Sequence, residues 1–137
     1  MIAKPLVPIS RKCDIYFRAN GAIDIMAGLV RRLGIEAGDV LNVVMIEREM
    51  YLYAAYKASE NKKHQSKRGN VVYQSKKGFS HCRCHFQQLV RCVTSFTKSK
   101  EAWLYAGETK DLSPYGIPRV GVTLIYKNNQ YNGNKDN

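Results

Sequence analysis

The sequence predicts an α+β, mostly-β protein built from two copies of a β-β-α-β-β unit. Three observations carry that expectation. Short stretches alternate apolar and polar residues between glycine- and asparagine-bearing turns. Two other stretches place apolar residues at helical spacing, each in the middle of a group of strands. The order of the first group then recurs, with Leu29-Val30-Arg31 echoed by Leu89-Val90-Arg91 and Tyr56-Lys57 by Tyr126-Lys127.

In the first copy, residues 13–57, Cys13–Arg18 is aromatic and β-branched and reads as a strand. Asn20-Gly21 is a hairpin signal, and Ile23-Asp24-Ile25 alternates as a second strand would. Leu29, Val30 and Leu33 line one face of a short helix that Gly34 caps. Glu36–Asp39 is a turn. Val40–Glu47 and Met50–Lys57 are partner strands joined at Arg48-Glu49. Residues 58–70 hold no apolar residue larger than alanine and read as a basic linker.

The second copy, residues 71–127, is more divergent. Val71–Tyr73 begins a strand, Lys77-Gly78 marks a turn, and His81–His85 alternates as a strand. Phe86, Leu89, Val90, Val93 and Phe96 fall at helical spacing. Glu101–Glu108 and Val120–Lys127 are strands separated by a stretch with Pro114, Gly116 and Pro118. Residues 128–137 are polar and asparagine-rich, and are expected to form a frayed tail.

Charge is the most informative bulk property. The 137 residues carry a formal +11, but residues 57–100 hold eleven basic groups against Glu60 alone. Such a concentration repels itself unless a polyanion neutralises it, and nucleic acid is the commonest one. An acidic partner protein is the next, and a lysine-rich loop that is merely solvated is the third. No stretch approaches the roughly 18 apolar residues of a membrane span, and the first ten residues lack the pattern of an export signal. The expectation is a cytoplasmic protein without membrane contact, its four cysteines reduced.

The stretch from Gly21 to Leu41 resembles the AbrB/SpoVT/MraZ type of transcription regulator. The resemblance rests on Leu33-Gly34-Ile35, on Gly38-Asp39-Val40 and on the hairpin that follows. It implies a swapped-hairpin barrel in which two β-β-α-β-β units interleave, as a homodimer or as tandem repeats forming a monomeric pseudo-dimer. Each unit is too small to bury its own apolar faces. The resemblance also implies that Arg18, Arg31 and Arg32 contact phosphate, although Arg31 and Arg32 also suit an ordinary solvated helix face. The sequence departs from the family at Ala22, where a basic residue is usual, and at Met26, where a proline is common. Lys76, Lys77 and Arg83 stand beside or beyond Gly78, so the basic surface is expected to shift to the second copy. Lys67, Arg68 and Arg91 belong to the same basic segment.

His81-Cys82-Arg83-Cys84-His85 invites a zinc reading, but strand alternation would send the cysteines and histidines to opposite faces. No paired carboxylates, activated nucleophile or phosphate loop is recognisable. The expectation is therefore no catalysis, no metal and no cofactor. Strand aromatics such as Tyr51, Tyr53, Tyr56, Trp103 and Tyr105 suit the core better than base stacking. The function expected is duplex DNA binding by a transcription regulator. The alternatives are an antitoxin-like or inhibitory module for a protein partner, and an RNA-binding protein.

Overall fold

Asn20-Gly21 closes the first hairpin. β1 (Ile15–Phe17) and β2 (Ala22–Ile25) pair antiparallel in the computed structural model, which describes residues 13–60, 73–74 and 81–126. Asn20 Oδ1 accepts the Ala22 N–H at 2.9 Å, and Gly21 adopts φ 97°, a left-handed value that side chains strain to reach. A Cβ on Gly21 would also lie 2.7 Å from Gln87 Oε1 of the second copy. Glycine is thus required both by the turn and by the approach of the other half.

α1 (Ala27–Leu33) buries Leu29 and Val30 and ends at Gly34, φ 63°. The Gly38-Asp39 pair that follows is structural. Asp39 is wholly buried and accepts the Glu36 N–H at 2.9 Å, the Ala58 N–H at 2.8 Å and Lys57 Nζ at 2.5 Å. That knot ties the start of β3 (Val40–Ile46) to the end of β4 (Glu49–Tyr56). The turn between these strands is Glu47-Arg48 rather than Arg48-Glu49, because Ile46 pairs with Glu49. Both turn residues have positive φ, 50° and 71°, as a two-residue hairpin of matching twist requires.

The second copy runs β5 (Tyr73–Gln74), β6 (Cys82–His85), α2 (Gln87–Thr97), β7 (Ala102–Asp111) and β8 (Val120–Ile125). β7 extends past the expected Glu108, carried by an irregularity in its pairing with β8 between Ala106 and Thr109. On α2, Leu89, Val90, Val93 and Thr97 are buried, whereas Phe96 is 44% exposed. One helical turn places position 97, not 96, beneath Val93. The expected Lys77-Gly78 turn, the tail and most of the basic linker lie outside the described residues.

All pairings are antiparallel, and the strand order is β3-β4-β8-β7-β1-β2-β6-β5. The two β-β-α-β-β repeats therefore interleave in one curled, barrel-like sheet. β2 lies against β6, β4 against β8 and β1 against β7, so each junction joins the two copies. The strands at the ends of the order, β3 and β5, are the repeat counterparts of β7 and β1.

The reason for interleaving is visible in the register. Ile15 opposes Leu104, Phe17 opposes Ala102, Ile23 opposes Cys84, Ile25 opposes Cys82, Met50 opposes Leu124 and Leu52 opposes Val122. Every member of these pairs is at most 5% exposed, and all belong to one core. Burial of a large aliphatic or aromatic side chain is worth about 1.5–3 kcal/mol. Separating the copies would expose one side of every pair.

Candidate nucleic-acid interface

Strand alternation decides which residues leave this core. With Ile23 and Ile25 of β2 and Cys82 and Cys84 of β6 facing inward, Asp24 and Arg83 face the other way, directly opposite each other. Arg18, just past β1, reaches the same carboxylate. Its Nε donates to Asp24 Oδ2 at 2.6 Å, while Arg83 Nε donates to Oδ1 at 2.5 Å and Arg83 Nη2 to Oδ2 at 3.1 Å. One arginine from each copy thus shares a single carboxylate, leaving the trio with net charge +1. Both guanidinium side chains stay about one-third exposed, at 37% and 34%. Burial alone would push the Asp24 carboxyl up, but hydrogen bonds from Arg83 and Arg18, reinforced by their charges, hold it below its ordinary value.

Aromatic groups continue the row. Tyr16 of β1 opposes both Asp24 and Trp103. The Arg18 guanidinium lies 4.4 Å from the Tyr16 ring centroid, and Tyr16 meets Trp103 edge-on at 5.4 Å. The Tyr16 hydroxyl donates to Glu101, which also accepts the Ala19 N–H at 3.0 Å. The hydrogen bond to Glu101 pushes the Tyr16 phenol up, against an opposing hydrogen bond with Trp103. Trp103 itself is 54% exposed. This corrects the core placement expected for it: Ala102 and Leu104 on either side take the buried positions.

The other expected contacts stand elsewhere. Arg31 and Arg32 are exposed in the last turn of α1, where cations complement the partial negative charge of the helix end. Arg32 Nη2 donates to Gly107 O at 2.6 Å, tying α1 to the second copy. Arg91 is exposed on α2. Lys67, Arg68, Lys76 and Lys77 lie outside the described residues. Two cations serve the scaffold instead: Lys57 holds Asp39 and Gly34 O, and Arg119 pairs with Glu60 at 2.9 Å.

The central cysteines are core residues. Cys82 and Cys84 are buried, and burial pushes the Cys84 thiol up to about 12. Such a thiol is a poor nucleophile and a poor metal ligand, since both roles need the thiolate. Cys13 is half-buried and Cys92 exposed, and none of the four is in a disulfide. Among the described residues no three His, Cys, Asp or Glu side chains gather as a metal site would require, and no helix is long and apolar enough to cross a membrane.

The sequence singles out Arg18 and Arg83 as basic candidates but not the groups that lie between them. Asp24 looked like the polar member of an alternating strand, and only the β2–β6 register shows what it holds. Trp103 is expected in the core although its neighbours carry the opposite signal, since Ala102 and Leu104 on one face leave it on the other. Comparisons of the chain with protein-family profiles, with curated proteins and with solved structures give no match.

Proposed function

We propose that this chain is a nucleic-acid-binding protein, of the AbrB-like tandem type, that docks duplex DNA on the outward face of β1, β2 and β6 as a regulator of transcription. The observation that supports this reading most is the meeting of Arg18 and Arg83 on Asp24. Two cations from opposite copies are fixed on one face, each about one-third exposed, and one of them, Arg83, belongs to the segment that carries most of the chain's positive charge. A carboxylate that holds two guanidinium groups in place reduces the side-chain entropy lost when phosphate binds. The mechanism is binding, with no bond made or broken.

The test is a salt series with labelled duplex DNA. Each phosphate neutralised contributes about −0.9 to the slope of log K against log salt, so contact by roughly half the basic segment gives about −5. Replacing Lys76, Lys77 and Arg83 with alanine should flatten the slope by two to three units, about one per lost contact. Arg31→Ala with Arg32→Ala reports whether the helix end takes part. Absence of duplex binding at low salt would overturn the proposal.

One feature favours the protein-partner alternative. A groove of about 320 Å³ between β3 and α2 is lined by Val43, Met45, Phe86, Leu89 and Val93 among others, and Met45 is 47% exposed. It lies beside β3, an end strand of the described sheet. A partner strand pairing there would leave the salt series flat.

A further inference from the structure

Trp103 is the chain's single tryptophan, and it is the most exposed of the large hydrophobic side chains among the described residues. Exposure of an indole usually accompanies a side chain that is loosely held. Here the ring is fixed by the edge-on contact with Tyr16, whose own ring is covered by Arg18. The Tyr16 hydroxyl is anchored in turn by Glu101, and Glu101 by the Ala19 N–H. The result is a flat apolar surface, anchored at one edge and more than half exposed.

Its neighbours indicate what that surface suits. Trp103, Tyr16, Asp24 and Arg83 are successive cross-strand partners over β7, β1, β2 and β6. With strands about 4.8 Å apart, Trp103 and Arg83 stand about 14 Å from each other along one row. An aromatic plane at one end and two arginines further along are the two parts of a site for unpaired nucleotides. The plane stacks a base, and the guanidinium groups take the backbone. A protein anchor would call instead for an apolar surround. Here the row beside Trp103 is tyrosine, arginine and carboxylate.

We infer that Trp103 stacks an unpaired nucleobase, with Arg18 and Arg83 receiving the adjoining phosphates. This deepens the nucleic-acid reading and rests on it, since the same two arginines serve both. It adds a preference the duplex reading lacks. A strand with an unstacked base, whether single-stranded or bulged from a duplex, binds more tightly than a fully paired one.

The indole is its own reporter, because all tryptophan fluorescence comes from the site. Titration of the full chain with oligothymidylate of about 12 nucleotides should quench that fluorescence, while an abasic deoxyribose-phosphate strand of equal length should not. Trp103→Ala should weaken oligothymidylate binding about 5- to 140-fold, the usual worth of one base–aromatic stack. Trp103→Phe should recover much of that loss. Binding of a fully paired duplex, followed by anisotropy, should be unchanged by either substitution, and an unchanged melting temperature shows that Trp103→Ala is folded. A duplex carrying one bulged thymidine distinguishes the sources of the base: quenching by it as well as by oligothymidylate supports both, and quenching by one alone restricts the site to that source. Duplex binding without quenching by either overturns the stacking inference and leaves the wider reading intact. Quenching by the abasic strand overturns it too. Loss of all binding removes both.

Discussion

Two of the three junctions between the copies, β2–β6 and β4–β8, flank the central β1–β7 pair, and both bury apolar pairs inward while their outer faces differ in charge. At the β2–β6 junction the inward pairs are Ile23–Cys84 and Ile25–Cys82, and at the β4–β8 junction they are Met50–Leu124 and Leu52–Val122. All are buried. Outside, the first junction carries Arg18, Asp24 and Arg83 in one tight cluster. The second pairs Tyr51 with Thr123, and there Tyr51 donates to Glu49 at 2.8 Å while Lys110 sits 5.8 Å from the Tyr51 ring. One junction concentrates like charges around a shared counter-ion, and the other disperses opposite charges. The inner faces specify the fold, and the difference outside is why the proposed DNA surface falls on the β2–β6 side.

The comparison breaks most severely if the copies are separated. Residues 1–60 expressed alone should be unfolded, because one partner of every junction pair is missing. Poor amide dispersion in a proton–nitrogen spectrum would agree, and a stably folded monomeric half would refute the interleaving. Within the full chain, Ile23→Ala and Leu52→Ala should each cost about 2–5 kcal/mol in urea unfolding, since both empty a fully buried position. A large inequality between them would mean that the junctions do not share the core evenly.

A smaller effect separates the outer faces. Asp24→Asn should cost about 1–2 kcal/mol at neutral pH, because two arginines then face each other across an uncharged amide. The sign of the pH dependence follows from the lowered Asp24 value. Its contribution is complete above the unfolded carboxylate value of about 3.9 and disappears as pH falls through the folded value. Urea midpoints of wild type and Asp24→Asn should therefore differ at pH 7 and converge in acid. Smallest of all, Glu49→Gln should change stability by no more than about 0.5 kcal/mol, as exposed surface contacts do.

Local chemistry made much of this architecture legible. Asn20-Gly21, the Gly34 cap and the Gly38-Asp39 turn punctuate the first copy where the sequence places them. Glu47-Arg48 escaped because a tight hairpin turn is ordinarily signalled by glycine or asparagine, and neither is present. Phe96 and Thr97 were exchanged because helical spacing of i+3 and i+4 admits both, and only packing chooses. Asp24, Lys57 and Arg119 could not be assigned from the chain alone. Their partners Arg83, Asp39 and Glu60 are remote in sequence and meet them only after folding. Strand alternation gave the inward direction of Cys82 and Cys84, while what opposes them depends on the β2–β6 register.

The outer face of β2–β6 as the DNA-binding surface is tested most directly by two double substitutions read in one salt series. Both are made in an Asp24→Asn background, so that no buried carboxylate is left unpaired. Arg18→Gln with Arg83→Gln should reduce the slope of log K against log salt for duplex DNA by about 1.8, or 0.9 for each lost phosphate contact. Arg48→Gln with Lys110→Gln, which removes the same charge from the β4–β8 side, should leave the slope unchanged. Equal losses from both pairs would reduce the binding to net charge without a face, and a loss confined to the Arg48–Lys110 pair would place the surface on the wrong junction.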